Sequence, residues 1–506
     1  MLDTLMLGLG IALEPQNLFY AFIGALLGTV VGVIPGIGTM SVIAMLLPLT
    51  YVVSPVSGLI MLAGIYYGAQ YGGNTSAILL GIPGESSAAV SVYDGYPMAK
   101  KGRAGAALAI SALSSFFAGT IATLLMFLSA PLLGNIALSF GSSEYALLMV
   151  LGLLGSMSFA SGAYLKTLGM IGIGLFLSTV GIDLYTGTPR FEYGIMALSD
   201  GFPIAVVAMG VFGIAEIIEQ LVEQYEMRRD GRKAPKVTPI PFKSLYPSRK
   251  EVKQSIFPAF RGTILGIILG VFPGIGATIA SFSAYSVEKR VNRERDQMGH
   301  GHPAGLAAPE SANNAAAQTS LIPLLTLGIP GSAVVALMIG TMTVHNIQPG
   351  PSLVTQHPEL FFGVIVSMWI GNLILLVLNL PLIGIWVKLL QLSKPILLPV
   401  ILVASTLGIY LLNGSSSDIV LLLLFGLFGF FMRRFGCSTA PFILGFILGP
   451  LLEEHLRRAL LLSSGSFSIF IERPISFGLL LMILVLIILM GVQAFRAAKK
   501  VSGASR

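Results

Sequence analysis

Long apolar runs fill this chain almost from end to end, and its charged residues are confined to short stretches between them. That distribution decides the solvent. Of 506 residues, 55% are hydrophobic and only 10% are charged, whereas a soluble protein carries about 25% charged residues. A disordered chain, a nucleic-acid-binding domain and an ordinary cytosolic enzyme are excluded, which leaves a polytopic membrane protein. The formal charge of +7 is then loop charge that sets topology rather than a footprint for nucleic acid. Cys437 is the sole cysteine, so no internal disulfide and no CxxC site can form. Residues 1–16 hold a short apolar run without a basic leader, and Asp3 has the wrong sign for one, which argues against a cleaved signal peptide.

The chain also repeats itself. GVIPGIG at 32–38 returns as GVFPGIG at 270–276, LLGIPG at 79–84 as TLGIPG at 326–331, and APLLG at 130–134 as LPLIG at 380–384. Pro203, Gly210 and Glu216 find counterparts in Pro441, Gly449 and Glu453. Landmarks in one order at offsets of 237 to 250 imply a duplication. The expected units are a first repeat over 1–225, a linker over 226–255, a second repeat over 256–452, and a last transmembrane helix with a basic tail over 453–506. Nine Lys or Arg and four Pro within 226–253 mark the linker as cytoplasmic.

Charge gives the relative orientation of the halves. VEKRVNRERDQ (287–297) carries four basic residues where the equivalent stretch near 49–58 has none, while AKKGR (99–103) carries three where NIQPGPS (346–352) has none. Equivalent loops of opposite bias belong on opposite sides of the membrane, so the repeats are expected to be inverted, a plan shared by many secondary transporters. Each repeat is expected to hold a re-entrant hairpin (17–53 and 257–287), a broken crossing (58–98 and 304–345) and four further helices. Those lie near 106–129, 145–162, 163–181 and 202–222, then near 360–380, 395–411, 418–432 and 438–452, with a final helix near 476–495. Under this topology 25 of the 30 Lys and Arg are cytoplasmic, Arg190, Arg457, Arg458 and Arg473 are periplasmic, and Arg261 opens the second hairpin. The N-terminus is expected in the periplasm and the C-terminus in the cytoplasm.

Function is written in the interruptions. PGIGT (35–39) and PGIGAT (273–278) sit inside apolar stretches where Pro-Gly-x-Gly cannot continue a helix. Freed backbone at that depth survives only when buried in protein or lining a wet cavity, and a helix N-terminus there suits a carboxylate. One such motif alone reads as a kink or packing point; a symmetric pair points to a site built from Pro35, Gly36, Gly38, Thr39, Pro273, Gly274, Gly276 and Thr278. Gly36, Gly38, Gly274 and Gly276 are expected to resist bulky replacement, through positive φ or close approach of substrate. The second interruption is polar. Asn74, Thr75 and Ser76 follow a Gly pair, and Ser311, Asn313, Asn314, Gln318, Thr319 and Ser320 lie in the matching region. Neutral amides and hydroxyls can hold Na⁺ and hydrogen-bond a polyanion without the cost of a buried charge; the plainer use is interhelical glue.

Glu85 and Glu310 flank these breaks. Either could relay a proton, complete a cation site, or simply cap a helix. Asp94 lies near the cytoplasmic end of its crossing, Glu216, Glu219, Glu453 and Glu454 read as helix-end residues, and Arg190 sits in a turn-rich loop. HGH at 300–302, without a third ligand nearby, reads as a solvated loop rather than a metal site. No GxxxxGK[ST], GxSxG or HExxH pattern occurs. No catalytic residue, metal or cofactor is therefore expected beyond a co-transported Na⁺ or H⁺.

GVIPGIGTM, YYGAQYGGNTSAILLGIPG, DGYPMAKKGRAG, DLYTGTPRF, GVFPGIGATIASF, APESANNAAAQTSLIPLLTLGIPGS and HPELFFGVIVSMWIGN, spread over nearly the whole chain, resemble the large membrane subunit of the tripartite tricarboxylate transporters. The resemblance implies a bacterial inner-membrane permease importing citrate or another carboxylate on an ion gradient. It also implies two partners, a small four-helix membrane subunit and a periplasmic solute-binding protein. By fold-level analogy it implies an elevator-type secondary transporter. The competing classes are an ion or solute channel and, less favoured, an intramembrane enzyme.

Overall fold

The computed structural model describes residues 1–34, 38–157, 164–183, 185–229, 242–272, 276–389, 402–403, 406–410 and 414–504. Much of the linker and much of the expected helix at 395–411 lie outside them, as do Pro35, Gly36, Pro273 and Gly274. The described chain is almost wholly helical: α1 Leu2–Ala12, α2 Pro15–Val33, α3 Thr39–Thr50, α4 Pro55–Leu80, α5 Ser91–Met98, α6 Ala104–Leu138, α7 Ser142–Gly155, α8 Tyr164–Leu177, α9 Ile204–Ala208 and α10 Ala215–Arg229. There follow α11 Arg249–Val271, α12 Gly276–Val291, α13 Ala304–Thr319, α14 Leu321–Leu327, α15 Ala333–Val344, α16 Ser352–Gln356, α17 Pro358–Asn379 and α18 Ile383–Leu389. The last are α19 Ser416–Arg434, α20 Thr439–Leu462, α21 Ile469–Glu472 and α22 Pro474–Ala504. Among the described residues seven helical stretches are long and apolar enough to cross a bilayer. The protein is an all-α polytopic membrane protein.

Local chemistry sets the helix ends. Pro15, Pro55 and Pro358 start α2, α4 and α17, where the missing N–H costs nothing. At the breaks, α4 ends on Gly81 at φ 69° and α14 on Gly328 at φ 71°. A left-handed glycine followed two residues later by proline stops a helix, so LGIPG is a terminator used twice. A 3₁₀ turn, Ser86–Val90, then leads into α5, while Ser332 caps α15 by accepting from Val335 N–H.

α2 and α11 dock through small residues. On α2, Gly24, Gly28 and Gly32 face the backbone carbonyls of Met61, Ile65 and Ala69 on α4, so closely that a Cβ has no room. On α11, Gly262, Gly266 and Gly270 face Ala308, Ala312 and Ala316 on α13 in the same way. Lipid offers no hydrophobic drive between helices, and small residues every fourth position let backbones meet and gain dispersion contact. α13 also lies on α6 through polar contacts: Ser311 Oγ donates to Ser114 O at 3.2 Å, Asn314 Nδ2 to Ser115 Oγ at 2.6 Å, and Thr123 Oγ1 to Gln318 Oε1 at 2.6 Å.

Loop charges pair with one another. Arg103 bonds Glu251, Arg261 bonds Glu288, and Arg433 bonds Glu216 and Glu219. Arg190 reaches Glu453 and Asp183, Arg457 reaches Asp183 and Glu453, and Arg473 reaches Glu144. Three features go beyond the sequence reading. α1 is a helix packed on α17, Ile11 lying against Gly363. A two-stranded ladder pairs Gly181–Ile182 with Pro189–Arg190. HGH is not a solvated loop throughout, because His302 is buried against Glu294 at 2.8 Å. The loop also wraps Asp94, whose carboxylate accepts from the N–H groups of Gly299, Gly301 and His302.

Candidate functional site

The polar interruptions resolve into two centres of different character. The first joins the residues after the first LGIPG stop to the starts of α3 and α12. Glu85 Oε1 accepts from the backbone N–H of Thr39 at 2.9 Å and from its hydroxyl. Ser86 Oγ lies 3.0 Å from Thr278 Oγ1. One dipeptide, directly after the first LGIPG stop, therefore touches the first residue of α3 and the third of α12. Ser86 is exposed, and Glu85, Gly38 and Thr278 are half-buried, so this centre is reachable. Its chemistry is explicit: a carboxylate sits on the N-terminus of α3, where unpaired N–H groups and the positive end of the helix dipole favour an anion. Glu85 thus caps a helix other than its own. Gly276 has φ 65°, but Gly38 does not share the expected left-handed conformation. It lies at φ −69°, ψ 144° as the residue before α3, and a Cβ there would meet only Ser41 Oγ at 3.6 Å.

The second centre is sealed. Glu310, in mid-α13, is fully buried and accepts from Asn74 Nδ2 on α4 and Ser91 Oγ on α5. It caps no helix. Asn313, Asn314 and Gln318 lie on the same helix and are at most 1% exposed. Several of their atoms have no hydrogen-bond partner: Asn74 Oδ1, both amide atoms of Asn313, Asn314 Oδ1 and Gln318 Nε2. A cavity of about 10 Å³ lies between Tyr71, Asn74, Thr75 and Ser111, near the lower limit for one water. Not every expected residue arrives. The hydroxyls of Ser76 and Thr319 are spent on carbonyls of their own helices, Gly73 O and Ala315 O.

Sequence reading missed the partners of this centre on α6 and α17. Tyr71 OH donates to Asn372 Oδ1 at 2.6 Å, Asn372 Nδ2 donates to Phe116 O at 2.9 Å, and Trp369 Nε1 donates to Thr120 O at 3.1 Å. The usable signal was an amide, Asn372, in an otherwise apolar helix. A larger cavity of about 330 Å³ lies where Asp183, Arg190 and Asp200 face Glu453 and Glu454. It is walled by four carboxylates and one arginine, Arg190, which is already paired with Glu453 and Asp183, and this makes it a poor host for an anion.

A helical membrane protein with broken helices and buried uncharged polar groups at the breaks belongs to the class of solute-moving integral proteins, and comparison with known proteins makes the class specific. Residues 18–444 match the family described as the tripartite tricarboxylate transporter TctA family, and the chain belongs to that family. It is a component of a tripartite transporter, not an enzyme by family. It is 52% identical over 480 residues to the "Uncharacterized 52.8 kDa protein in TAR-I ttuC' 3'region" of Agrobacterium vitis, covering 95% of this chain and 94% of that protein. It is also 49% identical over 234 residues to the "Uncharacterized protein in TAR-II ttuC' 3'region" of the same organism, covering 46% of this chain and 97% of that one. No solved structure matches the chain.

Proposed function

We propose that this protein is the permease of a secondary carboxylate importer in the bacterial inner membrane. It receives a di- or tricarboxylate from a periplasmic binding protein, works beside a small four-helix membrane subunit, and couples uptake to Na⁺ or H⁺. The observation that carries the reading is Glu85 on Thr39: the head of α3 already accommodates a carboxylate, one residue along the chain from the Ser86–Thr278 contact. A substrate carboxylate takes the same donors. A second observation supports two structural repeats, whose inversion rests on the loop charge. The α2–α4 contacts Gly24–Met61, Gly28–Ile65 and Gly32–Ala69 recur in α11–α13 as Gly262–Ala308, Gly266–Ala312 and Gly270–Ala316. The offsets, 238 on one side and 247 on the other, are those of the PGIG and GIPG motifs.

A citrate-like trianion needs compensation, since an unpaired buried charge costs several kcal/mol. Helix N-termini and co-bound cations supply it, and substrate and cation then raise each other's affinity by the same factor. The test is uptake of a panel of carboxylates into proteoliposomes holding the permease and its purified partners, under imposed sodium or pH gradients. Accumulation against the substrate gradient, lost when the driving gradient collapses, is the expected result. Passive flux that survives collapse would identify a channel instead. Thr39→Val removes a hydroxyl donor at the α3 head and should cost about 1–3 kcal/mol of substrate binding.

A further inference from the structure

We infer that the sealed centre is a binding site for a dehydrated sodium ion, with Glu310 supplying the charge and Asn74, Asn313 and Asn314 supplying amide oxygens. The inference deepens the transport reading, on which it rests for its role but not for its measurement.

Size is the first argument. Glu310, Asn313 and Asn314 are 0% exposed, and the space beside Asn74 and Ser111 is about 10 Å³. That space is lined by Asn74 and Ser111, both partners of Glu310, but not by Glu310, Asn313 or Asn314 themselves, and it would take a bare monovalent ion but neither a hydrated ion nor a carboxylate. The charge balance points the same way. The partners of Glu310, namely Asn74, Ser91 and Ser111, are all neutral, and a buried carboxylate without a positive partner is strongly disfavoured. One positive charge settles it.

The unpartnered atoms choose between the ions. Asn74 Oδ1, Asn313 Oδ1 and Asn314 Oδ1 are buried acceptors with no donor. Asn74 is held beside Glu310 by its own Nδ2. Asn313 and Asn314 follow Glu310 by three and four residues on α13, which puts them on the same helical face. A proton on Glu310 would neutralise the carboxyl but leave most of these oxygens unsatisfied, whereas a cation held among them would both balance the charge and give them a partner. A divalent or transition metal is disfavoured: the described residues contain no group of three His, Cys, Asp or Glu that could hold one, and hard divalent ions usually draw on more than one carboxylate.

The test uses the purified full chain in detergent, exchanged into choline chloride, with sodium chloride and potassium chloride as probes and no carboxylate present. Calorimetry should show saturable sodium binding, and the thermal midpoint should rise with sodium but not with potassium. Glu310→Gln keeps the shape and removes the charge. Its sodium-free midpoint should match or exceed that of the unaltered protein, and its sodium response should vanish. Asn313→Ala, which removes only one oxygen ligand, should weaken sodium at least tenfold. The proposal falls if the unaltered protein shows no sodium response, or if both variants respond as it does. It falls equally if the midpoint follows pH alone, which would make the site a proton carrier. Because sodium is measured without substrate or partners, a failure of carboxylate uptake would overturn the transport reading and leave the sodium result standing.

Discussion

Two carboxyl groups stand beside helix breaks in this protein, and their neighbours separate their duties. Glu85 is half-buried on the N–H of Thr39 at 2.9 Å; Glu310 is sealed among amides and hydroxyls. The sequence shows both as acids near polar breaks, but their difference arises from partners 46 and 236 residues away, which no local pattern contains. The glycines of the turns divide in the same manner. Gly276 at φ 65° needs the left-handed region, whereas Gly38 at φ −69° has ordinary backbone and open space. Gly276→Ala should therefore lose roughly 1–2 kcal/mol of stability. Gly38→Ala should be neutral or gain roughly 0.4–1 kcal/mol through the unfolded chain. Thermal unfolding of the two purified variants distinguishes them, and equal destabilisation would contradict the backbone assigned to Gly38.

Helix docking is set by the glycine seams. Gly28 on α2 and Gly266 on α11 face backbone on α4 and α13 with no space for a side chain. Gly28→Val and Gly266→Val should each cost about 1–3 kcal/mol through overpacking, or more if the hairpin separates from its crossing. Gly169→Val on α8 meets nothing within 4 Å and should be silent apart from helix propensity. Midpoints of thermal unfolding give the comparison; a Gly28 variant as stable as the Gly169 control would refute close docking. The LGIPG interruptions that end α4 and α14 were legible in the sequence, because Pro-Gly clusters in apolar runs have few physical meanings. The glycine seams and their docking partners were not. Small residues are common in membrane helices, and a four-residue spacing says that something approaches without saying what. α1 escaped for a related reason, since a run of eleven residues that includes Asp3 is too short for a perpendicular crossing.

At the scale of the molecule, the ion pairs define how its ends are held. Asp183 takes the N–H of Tyr185 and the guanidinium of Arg457, and these hold its carboxyl below the usual range. A depressed value means stability that is present above the unfolded value, about 3.9, and lost as pH falls through the folded one. Hydrogen exchange over 181–190 should be independent of this group from pH 5 to 8, after correction for intrinsic rates, and should quicken only below about pH 4. Opening near pH 6 would assign the hold to another group. The proposed topology has its own check. Single cysteines in 226–253 or at the C-terminus, with Cys437 replaced, should resist an impermeant maleimide in right-side-out cells, while those in 346–358 should react. Loop charge leads to the proposed inverted arrangement, but it says nothing of how the two halves interlock. Ser91 and Asn74 of the first half both close on Glu310 of the second, and Ser91 precedes it by 219 residues. At about 5–20 residues per second, the ribosome needs on the order of 10–40 s to make the stretch between them. For that interval the newly inserted first half must hold its amides and hydroxyls in the bilayer without their final partner. Shelter by the insertion machinery, or by water drawn in beside it, is therefore part of how this chain reaches its native state.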